Sequence, residues 1–131
     1  MKAVKGEELF VSTENKVGQL CAVSKLIKDS DVNIRAISAY AVANKAFFRL
    51  VTSDNTKAAQ GLKSIGKVEA REVVIVEMSD KVGQLYSLAA KLKDANIDLA
   101  YIYGSTVKAG QQANIIFSSN NNNKALEVIS S

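Results

Sequence analysis

At 131 residues, with 47% apolar content and a formal charge of +4, the chain can bury a sizeable core, yet it holds no histidine and one cysteine. No imidazole is present to act as acid–base catalyst or metal ligand, and Cys21 can close no intrachain disulfide, which removes most hydrolase, zinc-site and disulfide-framework readings. The basic excess is scattered singly ahead of Lys67, so neither nucleic acid nor a membrane is an expected partner.

Residues 4–11 are predicted as a strand. Residues 17–29 follow as an amphipathic helix, with Val17, Leu20, Val23, Ser24 and Ile27 on one face and Cys21 as a small buried thiol. Residues 32–42 alternate, Val32, Ile34, Ala36 and Ser38 against Asn33, Arg35 and Ile37, which is strand periodicity. Asn44 and Lys45 turn the chain into a strand over residues 46–52, after which Asp54 caps a helix running to about Ile65 and ended by Gly66. Residues 67–71 suit a fourth strand. Beyond them come a strand over 73–78, a helix over 82–95, strands over 97–107 and 112–118, and a last helix from about Asn123. The chain has no proline, so its turns rest on Gly, Asn, Asp and Ser. No apolar run reaches spanning length and the first ten residues lack an apolar leader, so the expected location is the cytoplasm.

The order is a unit written twice. Lys16-Val17-Gly18-Gln19-Leu20 returns as Lys81-Val82-Gly83-Gln84-Leu85, and Lys2, Glu7, Val11, Lys28, Asp29 and Ile37 return as Lys67, Glu72, Val76, Lys93, Asp94 and Ile102. The expected fold class is α+β, two ferredoxin-like βαββαβ units with antiparallel sheets and helices on one face, over residues 1–66 and 67–131. The second unit lacks a strand at its end, and residues 2–6 are in register to supply it. A ribbon of residues 2–13 against 67–78 would exchange the two edge strands, within one chain or equally between two chains.

Gly18 and Gly83 open their helices, where glycine costs about 1 kcal/mol relative to alanine. Two readings explain a cost present twice. Asn15 and Asp80 are N-caps, with glycine letting the turn pack closely on a strand. Alternatively, a helix start without a side chain lets a ligand carboxylate reach backbone N–H groups, aided by the helix dipole.

With the strand before it and Val32-Asn33-Ile34-Arg35-Ala36 after it, Asn15-Lys16-Val17-Gly18-Gln19-Leu20 resembles an ACT domain. Asp80-Lys81-Val82-Gly83-Gln84-Leu85 with Ile97-Asp98-Leu99 resembles a second. The likeness covers essentially the whole chain. It implies a tandem, stand-alone regulatory protein without catalytic residues, metal or cofactor, which binds an amino acid between paired ACT domains, forms a homodimer, and modulates a metabolic enzyme in trans. The ligand-binding positions it implies are Asn15, Lys16, Val17, Gly18, Gln19, Leu20, Asn33 and Ile34, and Asp80, Lys81, Val82, Gly83, Gln84, Leu85, Asp98 and Leu99. The family's frequent proline before the glycine is Val17 or Val82 here. Where the first copy has amides at Asn15 and Asn33 the second has acids, so the neutral loop suits a carboxylate and the acidic one an ammonium.

Two other functions share this element order. One is an interaction or oligomerisation module without a ligand, using strand edges after Val42 or Val107. The other is an RNA-binding ferredoxin-like domain. Lys45-Ala46-Phe47-Phe48-Arg49 suggests it weakly, because Phe47 and Phe48 point to opposite faces and the second copy reads Gln112-Ala113-Asn114-Ile115.

Overall fold

The computed structural model describes residues 1–106, 108 and 110–130. Along them run β1 (Lys2–Glu14), α1 (Gln19–Asp29), β2 (Ile34–Val42), β3 (Lys45–Thr52), α2 (Asn55–Leu62), β4 (Lys67–Ser79), α3 (Gln84–Asp94), β5 (Leu99–Thr106), β6 (Gln112–Ser119) and α4 (Asn122–Ser130). Val107, the expected end of one strand, lies outside the described residues. The chain forms two compact units, a first of Glu7–Arg71 and a second of Met1–Gly6 with Glu72–Ser131. The strand order is β2-β3-β1-β4 in the first unit and β1-β4-β6-β5 in the second. Residues 2–6 thus belong with the second unit and residues 67–71 with the first. Each unit is α+β and ferredoxin-like, as the sequence implies.

Alternation in β1 sends Leu9, Val11 and Thr13 to one face, and antiparallel pairing sets Leu50, Phe48 and Ala46 of β3 opposite them. The helices close this layer at a spacing of four, α1 with Val23 and Ile27, α2 with Ala58 and Leu62. The second unit repeats the plan with Val74 and Val76 of β4, Phe117 of β6, Leu88 and Leu92 of α3, and Ala125 and Ile129 of α4.

Several local expectations need correction. The alternation read across residues 32–42 does not run unbroken. A bulge between Ile34 and Ala36 shifts the register, so Ile37 and Ala39 join the helix-side face opposite Leu50 and Phe48. A matching bulge lies between Leu99 and Tyr101. Helix α2 stops at Leu62, short of Ile65. Cys21 is exposed, not buried, because α1 turns Gln19, Val23 and Ile27 inward and leaves Leu20 outside. At the far ends of α1 and α3 the chain turns through left-handed residues, Asp31 and Asn96, both with φ near 56–58°.

Asp54 caps α2 as expected, accepting from the Lys57 amide at 3.1 Å. A second side chain pins the same junction. Asn55 Oδ1 accepts from Thr52 N and Thr52 Oγ1 at 3.1 and 2.7 Å, and its Nδ2 donates to the Glu7 carbonyl at 2.9 Å. Asn122 makes the same bonds to Ser119 and reaches Glu72 at 3.3–3.5 Å. Asn55→Leu should therefore destabilise the chain by about 1–3 kcal/mol, the cost of stranding the Thr52 and Glu7 backbone groups. Asn122→Leu should cost less, because its link to Glu72 is longer. Urea midpoints of the two variants check the order.

On the helix-free face of the first unit lies a polar cluster that periodicity did not reveal. Glu8 is wholly buried and pairs with Arg49 at 2.9 Å, while Arg49 also donates to the Tyr40 hydroxyl at 3.2 Å. The Phe10 ring stacks on Phe47 at 5.5 Å and lies under Arg71 and Arg49, whose guanidinium carbons are 4.0 and 4.6 Å from its centroid. The second unit places Val73 and Ile116 where the first has Glu8 and Arg49, and both are buried.

Candidate functional site

Each strand-to-helix crossing is built by one glycine. Gly18, not Asn15, is the N-cap of α1, at φ 92°, and Gly83 is the N-cap of α3, at φ 88°. Neither helix start receives a side-chain cap hydrogen bond. Close packing does not require these glycines, since nothing stands within 4 Å of where a Cβ would project from either. The left-handed conformation does require them.

That conformation sets the backbone of the turn. The Gln19 amide bonds the Lys16 carbonyl at 3.2 Å and the Gly18 carbonyl receives the Ala22 amide at 2.9 Å; Gln84 with Lys81 and Ser87 with Gly83 repeat this at 3.2 and 3.0 Å. The next amides, those of Leu20 and Cys21 or of Leu85 and Tyr86, meet no capping side chain. Orphan N–H groups at a positive helix end favour an anion. The entrances are not plugged: Val17 and Val82 stand fully in solvent, at 105% and 108% exposure, and Leu20 and Leu85 are exposed as well.

Asn15 and Asp80 serve as anchors of the turn through their backbones. The Asn15 amide donates to the Asn44 carbonyl at 2.9 Å, and the Asp80 amide to the Gln111 carbonyl at 2.6 Å. Asn15 is exposed and Asp80 half-buried. Lys16 and Lys81 are exposed. Gln19 departs from the rest: it is buried, and its Nε2 donates to the Glu14 carbonyl at 2.8 Å.

The remaining implied positions lie elsewhere in each unit. Asn33 and Ile34 follow the far end of α1, an 11-residue helix, so roughly 16 Å of helix separates them from Gly18. Asn33 is exposed, with its amide on Ser53 Oγ and its carbonyl accepting from the Ser53 amide, both at 2.9 Å. It borders an open hollow of about 490 Å³ at the C-terminal end of α1. Asp98 and Leu99 sit correspondingly after α3, with the Asp98 amide on Asn120 Oδ1 at 3.1 Å. No single unit brings residues 15–20 and Asn33, or residues 80–85 and Asp98, to one ligand.

Around the Gly83 entrance the second unit has a cleft of about 200 Å³, to which Asp80, Lys81, Gln84 and Leu85 contribute. Gly104, Ser105, Ala113 and Ile115 also line it, and sequence reasoning passed over them. Among the described residues no cluster of metal-ligating side chains occurs, and no helix is long and apolar enough to cross a membrane. The arginine of the RNA-like stretch, Arg49, is held by Glu8 inside the first unit.

Residues 4–131 match the family described as the ACT domain pair. Among solved structures, protein BT0572 from Bacteroides thetaiotaomicron is similar at a TM-score of 0.89 and 25% identity, over 98% of this chain and 88% of that one. The regulatory subunit of aspartate kinase from Thermus thermophilus, in its ligand-free form, matches at a TM-score of 0.70 and 9% identity, over 99% and 95%. Its counterpart from Thermus flavus matches at 0.61 and 10%, over 99% and 95%. At those identities the aspartate kinase subunits share the fold alone. No curated protein matches the sequence.

Proposed function

This chain belongs to the ACT domain pair family, and on that premise we propose that it is a non-catalytic regulatory protein of the cytoplasm that binds an amino acid at a strand-to-helix entrance and modulates a metabolic enzyme in trans. The observation that carries the reading is the repeated pair of left-handed glycines, each leaving a helix start uncapped and open. Such a helix end offers backbone donors and a positive dipole to a carboxylate. The aspartate kinase regulatory subunits of like fold support the regulatory part of the reading.

The test is a thermal-shift panel of the common amino acids on the intact chain. A true ligand at 100 times its dissociation constant stabilises the protein by about 2.7 kcal/mol. A flat response across the panel would sink the sensing reading and leave an interaction module.

The homodimer belongs to the same proposal. Val17, Leu20 and Ile37 are exposed apolar residues of the first unit, and Val82, Leu85 and Ile102 are their exposed equivalents in the second. β2 and β5 are edge strands of their units. Apolar surface beside an unpaired edge favours a second copy of the chain, and such a copy would also bring an Asn33 or Asp98 to an entrance that lacks one. Ile37→Glu should shift a sedimenting dimer toward monomer. An unchanged sedimentation coefficient would show the β2 edge to be free.

A further inference from the structure

The two entrances differ in what lies beneath them. In the first unit the ground is occupied: Gln19 is folded inward onto the Glu14 carbonyl, and Phe48 is buried opposite Val11. In the second unit Ile115 takes the place of Phe48, opposite Val76, and Gly104 takes the place of Ala39. Gln84 is only partly buried there. Gln84, Gly104 and Ile115 all line the cleft beside Gly83.

Its size and lining restrict what it can hold. At about 200 Å³ it is smaller than the ~300–1,000 Å³ of sites for cofactor- or drug-sized ligands, which excludes nucleotides and admits a molecule of amino-acid size. Met78, Ala113 and Ile115 make the floor apolar, so a charged ligand side chain would be desolvated there without a partner. Asp80 and Lys81 stand at adjacent positions of the lining, and neither is in an ion pair among the described residues. Opposite charges so placed match the ammonium and carboxylate of a zwitterion.

Resting on the sensing reading, we propose that the cleft of the second unit is the one amino-acid site of each chain. It takes a small uncharged side chain, aliphatic or hydroxylated, on the floor of Met78, Ala113 and Ile115, and the first entrance takes none.

Isothermal titration of the intact chain with L-alanine, L-serine, L-valine, L-arginine and L-tryptophan tests this. At least one of the three small probes should bind with one site per chain, and L-arginine and L-tryptophan at least tenfold more weakly. Ile115→Phe writes the first unit's aromatic into the cleft and should weaken binding at least tenfold. Ala113→Leu fills the same floor from the position two residues earlier on β6, so one misfolded variant leaves the other as the test. Asp80→Asn should lower affinity about tenfold without loss of thermal stability. Two sites per chain, or unchanged affinity in both filled variants, would overturn the cleft while leaving amino-acid sensing intact. Equal binding of L-arginine or L-tryptophan would overturn the side-chain selection. No binding of the three small probes, with a thermal shift from another amino acid, would overturn the side-chain selection too; only a flat response across the full panel would remove the sensing reading itself.

Discussion

Glu8→Val alone should destabilise the protein by about 3–5 kcal/mol, and adding Arg49→Ile should recover most of that loss. Glu8 is wholly buried, with Arg49 Nη1 at 2.9 Å, so the valine variant leaves a guanidinium in a site without its carboxylate. The desolvation of that charge then loses the carboxylate that offsets most of it. In the double variant both charges are absent, and the residues introduced are those the second unit already uses at these places, Val73 and Ile116. Tyr40 loses a hydrogen-bond donor but is partly exposed, so its hydroxyl turns to water. Urea unfolding is the measurement, with the midpoint read at unchanged slope. A double variant as unstable as the single one would mean that Arg49 stabilises through its contact with Phe10 and its other neighbours more than through Glu8.

The same pair shows how far the sequence could be read. Strand and helix positions were legible because Leu9, Val11, Val23 and Ile27 follow periods of two and nearly four, and because a duplicated motif checks each reading against its copy. The bulges at Ile34 and Leu99 were not legible, since one added residue leaves the composition of a strand unchanged while reversing its faces. The Glu8–Arg49 pair carried a readable sign: two residues of one copy are charged where both counterparts are aliphatic. Reading that sign requires the hairpin of the second copy to be two residues longer, an offset that strand pairing fixes and the pentapeptide does not.

The candidate site was legible in part for the same reason. A glycine written twice at a helix start marks a backbone requirement, but sequence does not say whether that requirement is conformation or space. The structure separates the two at Gly18 and Gly83, where space is free and φ is positive. Residues from distant strands, Gly104 and Ile115, could not be assigned to the Gly83 entrance before the pairing of β5 with β6 was known.

Alanine at Gly18 or at Gly83 should cost about 1–2 kcal/mol, and valine more, although neither side chain would touch anything. The cost is the left-handed backbone near φ 90°, which an L-residue tolerates poorly, and asparagine should recover part of it. Gly66→Ala supplies the contrast, because its Cβ would run into the Ser12 carbonyl and the loss there is steric. Asparagine would make that loss worse. For Gly83 a second readout follows from the amides it aims. If alanine relieves strain by rotating the turn, the N–H groups of Leu85 and Tyr86 swing away from the entrance, and amino-acid affinity should fall at least tenfold. Asparagine, which holds the left-handed turn more readily, should keep affinity nearer that of glycine. Stability and binding should therefore rank the variants alike at Gly83, glycine above asparagine, asparagine above alanine, alanine above valine. At Gly18 the stability ranking should be the same, with no change in affinity if the occupied cleft is that of the second unit. A stable Gly83→Val protein with native affinity would show that the entrance geometry has no part in binding.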